Sequence, residues 1–183
     1  MKVYILDASG LINGFYSKKS PNFMTSSTVS EIKDINTQIL LENCINEGLI
    51  HIDDVNYDDN PEIREVLVSS GDLMRLSSTD KDIIALSLKH KQDGDDVVTV
   101  TDDYSMQNSL KLLNIEFKSV RTKGINSTIQ WKRICKGCRK EYPSDSTEEV
   151  CEICGSPIIR SLAGAIWIFV MQVWQPAAIP LRN

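Results

Sequence analysis

Val3-Tyr4-Ile5-Leu6-Asp7 opens the chain, and Val97-Val98-Thr99-Val100-Thr101-Asp102-Asp103 repeats its plan much later. Each is a short, mainly β-branched and apolar run that stops at a carboxylate. Such runs, without strict alternation, predict strands buried on both faces of a parallel sheet. Between them the chain alternates. Ala8–Phe15 predicts a short helix and residues 18–27, with Pro21, a polar loop. Thr28 and Glu31 have capping-box spacing, Asn36 is placed to cap the next helix, and Gly48 stops it. Residues 49–52 predict a strand, Pro61 to Gly71 a helix, and Asp80 opens the helical run Ile83, Ile84, Leu86, Leu88. Residues 104–113 predict a helix and 115–120 a last strand. Strands alternating with helices indicate an α/β domain with a mostly parallel sheet flanked by helices, over residues 1–120.

The 183 residues leave room for one such domain and a small module. A hydrophobic fraction of 42% and a charged fraction of 25% exclude a disordered or collagen-like chain. The formal charge of −5 hides a division: residues 1–120 carry a net −9, while from Lys118 to Lys140 there are eight basic residues and no acid. There is no Gly-rich phosphate loop, which removes a dinucleotide cofactor, and no nucleophile elbow.

In an open parallel sheet, ligands bind beyond the C-terminal ends of the strands. Asp7, Asp102 and Asp103 are placed there, and Glu31, Asp80 and Asp82 near predicted helix N-termini. Gathered at one edge, such acids repel one another unless a cation neutralises them, and oxygen ligands suit Mg²⁺ or Mn²⁺. Singly, each also reads as a turn or cap residue. The spacing leaves both readings open.

Cys135-x-x-Cys138 and Cys151-x-x-Cys154 have the spacing of a four-thiolate structural zinc site in a module of residues 131–161, joined by a linker at 121–130. Gly137 and Gly155 suit the positive φ angles of its turns. Reduced cysteines and no signal peptide point to the cytoplasm. Lys118, Arg121, Lys123, Lys132, Arg133, Lys136, Arg139 and Lys140, with Trp131 among them, form a basic neck suited to RNA phosphates and an unpaired base. Each charge alone reads equally as solvated surface, and Trp131 as ribbon packing. The tail, residues 162–183, is apolar over Leu162–Trp174, shorter than a membrane span, and its role stays open. No membrane partner is expected.

Four segments carry a resemblance. Val3-Tyr-Ile-Leu-Asp7-Ala-Ser-Gly, Thr28-Val-Ser-Glu31-Ile, Leu76-Ser-Ser-Thr-Asp80-Lys-Asp-Ile-Ile-Ala-Leu86 and Val98-Thr-Val-Thr-Asp-Asp103-Tyr-Ser-Met-Gln-Asn108 resemble the acidic motifs of PIN-domain nucleases. With the four-cysteine ribbon they are similar to the archaeal Nob-one family, endonucleases that mature the 3′ end of small-subunit rRNA. The resemblance covers about residues 1–160 and implies a PIN fold, hydrolysis to a 5′-phosphate and a 3′-hydroxyl, and metal-binding catalytic acids at Asp7, Glu31, Asp80 and Asp103. Asp82 and Asp102 are the register alternatives, and Ser9 and Thr101 candidates to assist by hydrogen bonding. It implies precursor 16S rRNA and the pre-ribosomal subunit as partners. Two other readings are carried: a toxin ribonuclease of the VapC kind acting on tRNA or mRNA, and a non-catalytic zinc-ribbon rRNA-binding assembly factor.

Overall fold

A computed structural model describes residues 1–163. The chain divides into two compact units, Met1–Thr128 and a second beginning at Ile129.

In the first unit, β1 (Lys2–Leu6), β2 (Asn22–Met24), β3 (Ile50–Ile52), β4 (Asp96–Val100) and β5 (Glu116–Lys118) form one parallel sheet in the order β3-β2-β1-β4-β5. Side chains alternate across β1, so Val3 and Ile5 enter one core and Leu6 the other. The first core is completed by α4 (Pro61–Ser70), α5 (Ser78–Gln92) and α6 (Tyr104–Leu112) through Ile63, Leu67, Ile83, Ile84, Leu86, Met106 and Leu110. The second is completed by α1 (Ala8–Ile12) and α3 (Ile35–Asn46) through Leu11, Leu41 and Cys44, with Ile32 after α2 (Ser26–Glu31). Helices on both faces of a parallel sheet are the expected α/β architecture. Strand order reverses between β1 and β4, which pair from Lys2↔Asp96 to Leu6↔Val100. That reversal opens a crevice at their C-terminal ends. Helix α1 enters it close to β4: a Cβ on Gly10 would lie 2.9 Å from Val100 Cγ1.

Three local expectations are corrected. The loop predicted at 18–27 contains β2, held by the fully buried Asn22, whose amide bonds the carbonyls of Ser17 and Leu49. Thr28 is not an N-cap but lies inside α2; Thr25 caps it, accepting from the Thr28 amide, so Glu31 is its last residue. Asp34, rather than Asn36, caps α3. A capping box does form, between Ser77 and Asp80. The helix from Pro61 ends as expected at Gly71, with φ 74°.

The second unit has an antiparallel sheet, β7-β6-β8, from β6 (Trp131–Cys135), β7 (Glu141–Tyr142) and β8 (Ile158–Leu162). Its buried apolar side chains among the described residues are Ile134, Cys135 and Cys151, too small a core to hold such a module by itself. Leu162, the first residue of the expected tail, is the last residue of β8 and pairs with Trp131 of β6. Ala163 follows it with an amide hydrogen bond to the Gln130 carbonyl, and the remaining tail, residues 164–183, lies outside the described residues.

Candidate active site and cysteine cluster

The crevice between β1 and β4 collects a hydrogen-bond network around Asp7. Ser9 Oγ (2.7 Å) and Thr101 Oγ1 (2.9 Å) both donate to Asp7 Oδ2. Thr101 is fully buried and its Oγ1 also accepts from the Asp103 amide at 3.1 Å. Burial raises the Asp7 carboxyl above the ordinary carboxylate range; the two hydroxyls work against this, and the negative charge of Asp80 adds to it. Asp7 and Asp80 therefore feel one another, though they lie on different elements.

The other acids divide by how their oxygens are used. Asp80 turns Oδ2 to the amide and hydroxyl of Ser77, both at 2.8 Å. Asp103 caps α6 with Oδ1, accepting from the amides of Ser105 (2.6 Å) and Met106 (2.9 Å). The register alternatives engage both oxygens. Asp82 Oδ1 accepts from the Tyr57 amide (3.3 Å) and Oδ2 from Ser27 Oγ (3.4 Å). Asp102 Oδ1 accepts from the amides of Val120 (3.0 Å), Arg121 (3.0 Å) and Thr122 (3.1 Å), and Oδ2 from Asn13 Nδ2 (3.3 Å). Burial raises the Asp102 carboxyl, but these amides outweigh it and hold the group below the ordinary range. Glu31 is exposed at the end of α2, which packs against α1 and α5.

Asp7 and Asp103 meet at the C-terminal ends of β1 and β4 through Thr101, and the charge of Asp80 reaches Asp7 from α5. Among the described residues, the cysteines are the one group of three or more metal-ligating side chains whose ligand atoms lie within 4.8 Å of each other.

Cys135, Cys138, Cys151 and Cys154 do come together. The closest sulfur pairs are Cys135–Cys154 at 3.3 Å and Cys138–Cys151 at 3.6 Å. A tetrahedron with Zn–S bonds of ~2.3 Å has edges of ~3.8 Å, so the cluster fits that ion. The amides of Gly137 and Cys138 donate to Cys135 Sγ. The Ser156 hydroxyl and amide, then the Cys135 thiol, bring Cys154 down to about 6, while Cys138, although the Lys140 amide lowers it, is pushed up to about 11 by burial and its thiol neighbours. Gly155 takes the positive φ expected of it, at 68°, but in the first knuckle Arg139 does so, at 66°. Gly137 is required by space instead, since a Cβ there would lie 2.5 Å from Ser156 Oγ.

The basic neck is less uniformly cationic than its sequence. In the second unit Lys132 pairs with Glu141 and Lys140 with Glu152, and Arg133 donates to the Glu148 carbonyl. One face of Trp131 is covered by the Arg160 guanidinium, 4.2 Å from the ring centroid. Lys136 and Arg139 are exposed. In the first unit Lys118 Nζ lies 4.3 Å over the Phe15 ring, and Arg121 and Lys123 are exposed. Asn13, Gln107 and Ser77 escape sequence reasoning as site-supporting residues, since a lone amide or hydroxyl carries no spacing signal.

A family model described as "PIN domain of ribonuclease" matches residues 4–89. The Endoribonuclease Nob1 of Methanothermobacter thermautotrophicus is 44% identical over 85% of this chain and 91% of that relative. The Endoribonuclease Nob1 of Methanocaldococcus jannaschii is 35% identical over 88% and 79%. The Ribonuclease VapC1 of Thermoplasma acidophilum is 33% identical over 86% and 77%. Among the described residues no helix is long and apolar enough to cross a membrane. With the parallel sheet, the crevice acids and relatives matched over most of their length, the chain belongs to the PIN-domain endoribonucleases of the Nob1 family.

Proposed function

We propose that this endoribonuclease cleaves precursor small-subunit (16S) rRNA in the cytoplasm to mature its 3′ end during ribosome biogenesis, leaving a 5′-phosphate and a 3′-hydroxyl. The observation that carries this reading is the 44% identity to an Endoribonuclease Nob1 across 91% of that relative's length. Asp7, Glu31, Asp80 and Asp103 are assigned to hold Mg²⁺ or Mn²⁺. Asp80 and Asp103 are preferred to Asp82 and Asp102 because their capping bonds fall on one oxygen, whereas the alternatives engage both. A bound divalent ion supplies a more acidic water and neutralises charge growing on the scissile phosphate. Ser9 and Thr101 orient Asp7 by holding its Oδ2, and Thr101 ties the Asp103 backbone to the same point.

The four cysteines are assigned to a structural Zn²⁺ that stabilises residues 131–161 as an RNA-holding module. Lys118, Arg121, Lys123, Lys132, Arg133, Lys136, Arg139 and Lys140 are assigned to phosphates. Exposed ion pairs such as Lys132–Glu141 are weak enough to exchange for phosphate. Trp131 already carries Arg160 on one face, so base stacking is left to the other.

The test is cleavage of a precursor 16S rRNA 3′ fragment in Mn²⁺, with tRNA and mRNA fragments in parallel. A single cut at the mature 3′ end is expected. Preferential cleavage of tRNA or mRNA favours the VapC reading, to which the Thermoplasma acidophilum relative points. Tight rRNA binding without a cut under any divalent ion overturns catalysis.

A further inference from the structure

The segment that leaves β5, residues 119–125, was expected to close the last strand at 120 and begin a linker at 121. In the structure it is clasped from two sides by residues of a single motif. Asp102 accepts from three consecutive amides, Val120, Arg121 and Thr122, and from Thr122 Oγ1 at 3.3 Å. Gln107, fully buried in α6, donates to Thr101 O (3.0 Å) and Ser119 Oγ (2.9 Å) and accepts from the Ile125 amide (3.1 Å). Gly124, at φ 67°, passes so close that a Cβ would sit 2.9 Å from Ser119 Oγ. Its path is therefore held by hydrogen bonds and by space at once.

The clasp is continuous with the acid edge. Asn13 Nδ2 bonds Asp102 Oδ2 at 3.3 Å and Ser9 O at 2.7 Å, and Ser9 Oγ bonds Asp7 at 2.7 Å. Asp102 directly precedes Asp103. The strap thus carries two exposed cations, Arg121 and Lys123, on a backbone fixed beside the negative end of the sheet. An acidic edge repels a polyanion, and a guanidinium held at its border offsets that repulsion where the strand must approach.

We propose that Asp102 and Gln107 are positioning residues: they clasp residues 119–125 against the acid edge so that Arg121 holds a phosphodiester of single-stranded RNA next to the one cleaved. This rests on the cleavage edge assigned above, and the test separates the two. A labelled single-stranded oligoribonucleotide is titrated without divalent metal against the full chain and its Asp102→Asn, Arg121→Ala and doubly substituted variants. Cleavage of the same RNA is then followed in Mn²⁺. Asp102→Asn keeps an oxygen for the three strap amides but removes the charge they share and sets a side-chain N–H against the donors on Oδ2, Asn13 Nδ2 and the Arg121 amide, which loosens the strap. Each single change is expected to weaken binding and raise KM about tenfold with kcat within about twofold. The double change is expected to be no worse than Arg121→Ala alone, because both act through one contact.

Unchanged binding, additive effects, or a loss of kcat at constant KM for Asp102→Asn overturns the proposal; the last result would place Asp102 among the metal-holding acids. If no RNA is cut, the binding series decides alone. If Asp102→Asn does not fold, Thr122→Val, which removes one hydroxyl bond to the clasp, is expected to weaken binding about threefold, and no change overturns the assignment.

Discussion

Asp7 is ionised at a cost. Its folded-state carboxyl is raised by burial, so the metal-free fold binds that proton more tightly than the unfolded chain does. Stability is therefore lost as pH rises through the raised value and regained as pH falls below it. Asp7→Asn copies the protonated form and keeps an oxygen for Ser9 and Thr101. Without divalent metal at pH 7, this variant is expected to melt at or above the wild-type temperature, the gap closing as pH falls. In the same preparation Mn²⁺-dependent cleavage is expected to drop at least about a hundredfold. Calorimetry against pH and a cleavage assay check the two halves; a variant that melts lower and cuts normally would overturn both.

At the scale of elements, the sheet and its helices were legible where burial writes a pattern. Val97–Val100 is buried throughout and Val3–Leu6 is buried but for the half-covered Tyr4, while the strand from Leu49 and the helix from Pro61 follow from their bounding glycine and proline signals, β3 itself being half open to solvent. The misses are local contests between polar groups. Strand β2 has only Asn22-Phe23-Met24, and its anchor is a buried amide that sequence reads as loop. Thr28-x-x-Glu31 and Ser77-x-x-Asp80 look alike as capping boxes, but only the second closes, because Thr25 caps α2 first. Asp102 and Asp103 are adjacent and chemically identical; what separates them is the turn beyond β5, whose return to Asp102 no spacing records. The cysteine pairs were readable because thiolates at that spacing have few other uses.

The fit of α1 against β4 gives a sharper test of this scale. Gly10 has no open space for a methyl group, with Val100 Cγ1 at 2.9 Å and the Val100 carbonyl at 3.3 Å from the Cβ position. Gly10→Ala is expected to destabilise the first unit by about 1–3 kcal/mol in denaturant unfolding and to lower cleavage by shifting Ser9. A neutral substitution would mean that α1 moves freely over the sheet.

For the whole molecule, the two units differ in what holds them. The first has two apolar cores across a parallel sheet; the second has three buried apolar side chains among its described residues and four converging thiols. Stripping metal with a thiol-compatible chelator is expected to unfold the second unit while the first keeps its cooperative melt. Amide NMR signals would show this directly: resonances of residues 131–160 collapse, and those of β1 and β4 persist. A single concerted loss of both sets would tie the first unit's stability to the metal.

The pairing of β1 with β4 also has a consequence in time. Thr101 Oγ1 reaches Asp7 across a separation of 94 residues, and Leu6 finds its partner Val100 only in the second half of the first unit. During synthesis, the opening strand emerges early and waits. No growing chain shorter than about the fourth strand can hold Asp7 through Thr101 or contain Asp103, so on the assignment proposed above the acid edge is completed only after most of the first unit has been made.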